Sequence, residues 1–579
     1  MFLGEEITSV GRTCRRAVTR RPCLRRTPPY AGRVSNPRDQ AHRMLRRFAA
    51  ATNLLVAGRT FALHGAVDDV SVELERALLA LGARRWRGSG PLDYLFCRGD
   101  APADLTRWLT DNPRPLVVIG EMPDCGVQAR PGVRLVRVDG REVAVVGDAP
   151  SESPVASTTD GADRIRWARR FMPVSRALAT ELSGLGSSIQ GVRVGISMVL
   201  EPKTAVLALL LAEAGAETVV FAHPDETDDA VADALRSDGL TVFADSTASR
   251  AEHRAYALDF LDQELDLLLD DGSALIRLAH LERPDAVERL RGAAEETTSG
   301  LRPLRVMEQQ GLLRVPVVAV NDARSKTQFD NLYGTGQSCV FAILDLLERS
   351  GHNDSLVDKS VVIAGFGPVG EGVARHCAAL GARVTIAETD AVRALQATFE
   401  GYEVARLVTA VATADLVISA TGIAGTIDLN TLLACAPDAA IAVAGGVPQE
   451  IAINDAVAVG ATRQTLAPKL ERFHLPGGGT VRILDDGGCI NITAGEGNPI
   501  EIMDLSFAVQ LAAVRTLLEH EWSVGLHPLP AEADDRVAAA ALGTTDIDTA
   551  TDAQREFLAD WYPTRFDRPA PITGSTPPV

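Results

Sequence analysis

The segment SVVIAGFGPVGEGVARHCAALGARVTIAE, residues 360–388, constrains the fold more than any other stretch. An apolar run ends in a glycine turn, a helical stretch follows, and a second apolar run closes the unit. Strand, turn, helix, strand is the pattern of a parallel pair with a helical crossover. In Gly365-Phe-Gly367-Pro-Val369-Gly370 the first glycine allows the tight turn, the second lets the backbone approach a pyrophosphate, and the third lets helix and strand pack closely. The start of the helix adds N–H donors and positive potential for phosphates. Glu388 ends the next strand, 18 residues after Gly370. A carboxylate there accepts hydrogen bonds from a ribose 2′-hydroxyl and disfavours a 2′-phosphate. NAD is expected over NADP, with Arg393 as the opposing sign; the bland alternative is a glycine turn with no ligand.

The alternation extends in both directions. VRVGISMVL, TAVLALLLAEAG, ETVVFAH, LTVFA, LDLLLDD and VPVVAV precede the glycine unit, and DLVISAT and AAIAVAG follow it. Such alternation predicts an α/β chain of doubly wound parallel sheets covered on both faces. The expected boundaries are a substrate-binding unit over 163–345 completed by 500–528, a Rossmann NAD domain over 346–499, and a C-terminal tail over 529–579. Residues 48–150 read as a further small α/β domain without a chemical motif, joined by the polar stretch 148–163.

Charge is split along the chain. Residues 1–47 hold 12 Arg against 3 acidic residues, or +9, so the net −18 leaves −27 for residues 48–579. An acidic body argues against nucleic-acid binding and for small ligands. The basic head reads as a disordered tail or an over-extended start, with an Arg-rich transit peptide as the alternative; it lacks the apolar core of a secretory signal. No run of about 18 apolar residues occurs to span a membrane. The eight cysteines, Cys14, Cys23, Cys97, Cys125, Cys339, Cys377, Cys435 and Cys489, show neither CxxC nor zinc spacing, and no metal is called for. They read as free thiols of a cytoplasmic protein.

The stretch NDARSKTQFDNLYGTG, residues 321–336, sets Lys326 among Asn321, Asp322, Asp330 and Asn331. The chain has four lysines and 54 arginines, so generic basic positions are filled by Arg. Lys326 and Asp330 stand four apart and would share one face of a helix. A lysine serves as a base when burial or charge moves its pKa toward neutrality; the plain alternative is a surface ion pair.

These stretches together resemble the S-adenosylhomocysteine hydrolase family over about residues 163–563. NDARSKTQFDNLYG matches its NDxxxKxxFDNLYG signature, EETTSG (295–300) its EETTTG, LLLDDG (267–272) its LDDGG, and GEGNPIEIMDLSF (495–507) its GHP-containing motif with one change. The resemblance implies a divided substrate domain that closes over an NAD domain, with bound NAD oxidising a nucleoside 3′-hydroxyl before elimination and addition at the 5′ side. It implies that Lys326 and Asp330 hold and deprotonate the ribose hydroxyls, that Glu296 binds them, that Asn331 lies between substrate and nicotinamide, and that Asp271 transfers protons near C4′ and C5′. Thr297, Thr298 and Ser299 are expected along the nicotinamide, Asn491 at its carboxamide, and Glu201, Lys203 and Asn498 at the substrate. It also implies a homotetramer, and the ending TDIDTATDAQREFLADW is similar to that of the shorter, archaeal-type members.

Three histidines of the family pattern are absent. Val199, Gly446 and Asn498 stand in their places, and Thr335 stands for a cysteine. The oxidation group is intact while the 5′ acid–base groups are altered; loss of one such group costs about 10²–10⁴ in rate. The leading expectation is therefore 3′-oxidation of a purine nucleoside or its thioether with altered 5′-chemistry. A genuine hydrolase of S-adenosyl- or S-inosylhomocysteine and a non-catalytic NAD- or nucleoside-binding regulator are the alternatives. Lys203, a donor only, would suit a 6-oxo purine; its bland reading is a lysine paired with Glu201. Asn498 retains the capacity to hydrogen-bond a purine.

Overall fold

The computed structural model describes residues 36–98, 102, 105–109, 112, 114–121, 126–147, 160–351, 355–447, 449–543 and 547–560. Within them the strands form three sheets, two of seven strands and one of eight.

The alternating apolar runs form the second and third sheets. The second runs, in spatial order, Thr241–Phe243, Glu217–Phe221, Arg193–Ser197, Leu267–Asp270, Gly292–Glu295, Pro316–Ala319 and Gly525–Pro528, all parallel. Its central strands Leu267–Asp270, Gly292–Glu295 and Pro316–Ala319 are buried on both faces, as continuous Val, Leu and Ala runs require. The strand order reverses beside Arg193–Ser197, and a ligand crevice is expected outside the carboxyl ends there. The third sheet has a parallel core of Arg383–Ala387, Ser360–Ala364, Leu416–Ser419, Ala439–Val443 and Thr480–Leu484, with an antiparallel edge. Its order reverses beside Ser360–Ala364, the strand that delivers Gly365.

The third unit is inserted into the second. The chain leaves through a helix over Thr335–Arg349 and returns through one over Ile500–Glu519 to add the edge strand Gly525–Pro528. Where the outgoing helix crosses Pro368–Ala379, a Cβ at Gly336 would lie 2.8 Å from the carbonyl of Gly372. The crossing also sets the Leu332 carbonyl, in the turn ahead of the outgoing helix, against Gly372.

The N-terminal sheet has five parallel strands, Arg84–Arg85, Thr60–Gly65, Tyr94–Arg98, Leu116–Gly120 and Arg141–Gly147, followed by Val133–Val138 and Val127–Arg130 antiparallel. Two expected tails need correction. The basic head was expected to be disordered to residue 47, yet Pro37–Thr52 is a helix, α1, capped by Asn36 and burying Ala41, Leu45 and Phe48. Its basic charge is held by ion pairs: buried Arg46 donates to Asp345, 2.9 Å away, and to Glu348. The C-terminal stretch carries the helix Ala531–Leu542, whose Ala533 and Val537 are buried and whose Asp534 accepts from the backbone of Arg324 at 2.9 Å and Ser325 at 3.1 Å. The calls on residues 1–35, on most of the linker (148–159), on 561–579 and on Cys14, Cys23 and Cys125 lie outside the described residues; the other five cysteines are free thiols.

Candidate active site

The stretch 321–336 folds as a chain of short turns. Val320–Asp322 is a 3₁₀ turn, Arg324–Thr327 one turn of α-helix, and Asp330–Gly334 a π-helical turn that runs into Thr335–Arg349. π-turns recur at functional sites because the extra residue re-aims side chains. Here the break lies between Lys326 and Asp330, so they do not share a continuous helix face, but their side chains still meet. Lys326 Nζ lies 3.0 Å from Asp330, 3.7 Å from Glu296 and 3.1 Å from Asn331 Oδ1. Lys326 is 2% exposed, which rules out the surface ion pair.

The carboxyl ends of the second sheet complete the cluster. Strand Leu267–Asp270 delivers Asp271 and strand Gly292–Glu295 delivers Glu296. Gln510, from the returning helix, donates to Glu296 at 2.6 Å, and Ser506 donates to Asp330 at 3.0 Å. Burial raises the Glu296 carboxyl to about 8, with Lys326 only partly offsetting it. Burial likewise raises Asp271 to about 6, against the opposing charge of Lys326. For Lys326 itself, burial favours loss of the proton, but Asp330 and Glu296 outweigh it and hold the group above the ordinary lysine range. This corrects the expectation of a lysine tuned toward neutrality. In this state Lys326 is an ammonium, and Glu296 keeps a proton of its own near neutral pH.

Beneath the cluster is a carboxylate the sequence reading passed over. Glu295 accepts from the backbone N–H of Gly272, Ser273 and Thr297 at 2.8–3.0 Å and from the Thr297 hydroxyl at 2.7 Å. It ties the two site turns together, and a Cβ at Gly300 would meet it at 2.1 Å. Thr297 is consequently committed to Glu295 and to capping the helix Thr298–Gln309, while Ser299 donates to Thr297 Oγ1 at 3.2 Å. Thr298 donates to Asn321 Oδ1 at 3.2 Å, which also accepts from Asn331. The doubled glutamate of EETTSG was the available signal: one carboxylate is needed for the turn, the other for the site.

The residues in place of the family's histidines have distinct surroundings. Asn498 Nδ2 donates to Asp330 and to Thr335 Oγ1, and its Oδ1 accepts from Ser338 at 2.7 Å and Asn491 at 3.0 Å. Two donors and two lone pairs are all used, so Asn498 is not available to a purine here; it anchors Asp330. Asn491 is fixed by that bond and by Cys489. Gly446 has φ +79°, a conformation costly to histidine. Lys203 is buried, 2.8 Å from Glu201, and donates to the Glu496 carbonyl at 2.6 Å. The pairing with Glu201 is thus present, and one of its three N–H donors remains.

The glycine turn has the form a dinucleotide needs. Gly365 has φ +95°, and a Cβ at Gly370 would lie 2.1 Å from the Gly365 carbonyl. Val369 packs at the edge of the core. Partial burial works against the charge of Glu388, but the N–H groups of Asp390, Phe366 and Thr389 outweigh it and hold the carboxyl below its usual range. Arg393 lies beside Gly367. These residues fit NAD.

The profile of the family described as "S-adenosyl-L-homocysteine hydrolase, NAD binding domain" matches residues 331–497. The chain is 40% identical over 406 residues to the adenosylhomocysteinase of Thermotoga maritima, covering 69% of this chain and 99% of that one. It is 34% identical to the adenosylhomocysteinase of Thermoplasma acidophilum, covering 69% of this chain and 97% of that one. It is 36% identical to the S-inosyl-L-homocysteine hydrolase of Methanopyrus kandleri, covering 69% and 95%.

Proposed function

The chain belongs to the adenosylhomocysteinase family, and from that membership we propose that the protein hydrolyses a purine-nucleoside thioether of homocysteine to nucleoside and homocysteine. What supports this reading is the cluster of Lys326, Asp330, Glu296 and Asp271, together with the packing of the Asp330–Gly334 turn against the helix that follows the glycine turn. The absent histidines first suggested altered 5′-chemistry. Full-length relatives bearing hydrolase names favour hydrolysis instead, and the cluster contains the groups to perform it.

Bound NAD supplies reversible hydride acceptance at the ribose 3′ carbon. Gly365, Gly367, Val369, Gly370 and Glu388 would hold its adenosine diphosphate half, with Thr298, Ser299, Asn491 and the capping Thr297 toward the nicotinamide. Lys326 donates to the ribose 3′-oxygen and stabilises negative charge there, while Asp330 orients the ammonium. A carboxylate of the cluster receives the hydroxyl proton. Asp271, near 6, is ionised at neutral pH and suited to accept a proton; Glu296, near 8, still carries one to give. Together they offer the acid–base capacity that Val199, Gly446 and Asn498 lack.

Glu201 and Lys203 stand at the substrate side, and the free N–H of Lys203 favours a 6-oxo purine as a second reading of the base. The test is thiol release from S-adenosyl- and S-inosylhomocysteine, with the near-ultraviolet absorbance of reduced nicotinamide followed in parallel. Thiol is expected from at least one substrate, and Lys326→Met should abolish both signals. Reduced nicotinamide without thiol would restore altered 5′-chemistry; tight nucleoside binding with neither signal would favour a regulator. If Lys203 reads the base, Lys203→Glu should shift the preference toward the adenosine substrate, and an unchanged ratio would refute that reading.

A further inference from the structure

Lys203 and the N-terminal domain meet at one residue of the active-site loop, Glu496, which is held both by its carboxylate and by its carbonyl. Arg130, on the edge strand Val127–Arg130 of the N-terminal sheet, lies 2.7 Å from one carboxylate oxygen. Arg164, on the helix Gly161–Arg170, lies 2.8 Å from the other. Both arginines are buried. The Glu496 carbonyl accepts from Asn53 Nδ2 at 2.8 Å and from Lys203 Nζ at 2.6 Å. Asn53 is the C-cap of α1, so two N-terminal elements hold this one residue.

The consequence falls on Lys203. An ammonium carries three N–H donors in a fixed tetrahedral array, so two occupied directions set the third. One direction goes to Glu201 at 2.8 Å, whose carboxylate is itself fixed by the Lys203 backbone N–H at 3.0 Å. The second goes to the Glu496 carbonyl. The loop backbone also bounds the ammonium, since a Cβ at Gly497 would lie 3.8 Å from Nζ. The Glu201 contact is local in sequence. The Glu496 contact depends on Arg130 and Asn53, and a shift of that carbonyl re-aims the remaining N–H.

We propose that the N-terminal domain is a specificity element of the nucleoside site: through Glu496, Arg130 positions Lys203 to discriminate the purine 6-substituent. The inference rests on the reading of Lys203 as the group that meets the base. Arg130 acts through Glu496 and is a positioning residue. A donor held in one direction rewards a 6-oxo acceptor and leaves a 6-amino group facing another donor. A donor free to swing discriminates less. Fixing a register is the best-attested use of a buried charge cluster, and two guanidinium groups on one carboxylate give the strong, directional bonds this requires.

The test compares kcat/KM for S-inosyl- and S-adenosylhomocysteine in the full-length, NAD-loaded protein, with the affinities of inosine and adenosine measured beside it. The parent should favour the inosine compounds; a preference for the adenosine compounds refutes the Lys203 reading and the proposal with it. Arg130→Met should move the ratio toward one by about tenfold. The change should lie in KM, with kcat altered by less than about twofold. Arg130→Lys keeps the charge and should restore part of the discrimination. If Arg130→Met disturbs the fold, Asn53→Gly serves: it keeps the left-handed backbone at φ 54°, removes only the side-chain donor, and should move the ratio the same way by less. An equal loss for both substrates, or an unchanged ratio in the folded variants, overturns the proposal. Lys203→Glu separates the two readings. If it shifts the ratio and Arg130→Met does not, the role of the N-terminal domain fails alone; if neither does, base reading by Lys203 fails too. The nucleoside affinities carry the same comparison where no thiol is released, so failure of hydrolysis is read separately.

Discussion

Glu496→Gln is expected to separate the extra N-terminal domain energetically from the active-site loop. The Glu496 side chain is 7% exposed in that loop, two residues before Asn498. Its carboxylate lies 2.7 Å from Arg130 of the N-terminal sheet and 2.8 Å from Arg164, and both arginines are buried. Burial alone would raise its pKa, but Arg130, Arg164 and Lys203 outweigh that and lower it from 4.5 to about 2. At about 1.4 kcal/mol per unit, the difference amounts to roughly 3 kcal/mol, within the range of about 3–5 kcal/mol for breaking a buried ion pair. Arg164 keeps Asp228 at 2.6 Å, while among the described residues Arg130 keeps only the Thr52 carbonyl at 3.3 Å. Most of the loss should therefore fall on Arg130. The assay is urea unfolding at neutral pH followed by tryptophan fluorescence; Trp167 donates to that same Thr52 carbonyl and lies at the junction. A first transition weakened by about 3 kcal/mol is expected, with strong non-additivity in a cycle with Arg130→Met. Because the folded pKa is depressed, this stability is present above about 4.5 and lost as pH falls toward 2, and the variant should lack that increment. A loss below about 1 kcal/mol, or additive single effects, would refute the clamp.

Gly370→Ala places a methyl 2.1 Å from the Gly365 carbonyl and should strip the protein of NAD, measured as nucleotide retained after gel filtration. The pH profile of kcat/KM should rise through about 6 as Asp271 ionises and fall above about 8 as Glu296 loses its proton, and Glu296→Gln should remove the alkaline fall. Burial raises Glu296, so its contribution to stability is present below 4.5 and lost as pH rises through about 8; urea midpoints in that window should fall less in Glu296→Gln than in the parent. Asn498→Ala removes the donor to Asp330 and should lower kcat more than it raises KM.

What could be read from the sequence was set by how local each cause is. Gly365 and Gly370 were legible because both ends of their constraint lie within six residues: the turn, and the helix that comes down on it. Lys326 was legible because its rarity among arginines marked it and its partners Asp330 and Asn331 follow at once. Its charge state was not, because Glu296 and Asp271 reach it from other strands and a neighbourhood of carboxylates reverses the effect of burial. The role of Asn498 depends on Asp330, 168 positions earlier, so no local pattern could show that it serves an anchor and not a base. The first helix failed for the same reason. Ala41, Leu45 and Phe48 have helical spacing, but the arginines between them read as a solvated tail until Arg46 finds Asp345, 299 residues on. The same long-range pairing that hid this helix also joins it to the active site. Its C-cap, Asn53, accepts from the N–H of Ile500 and donates to the Glu496 carbonyl, so the residue that ends this helix also braces the loop holding Asn498 against Asp330.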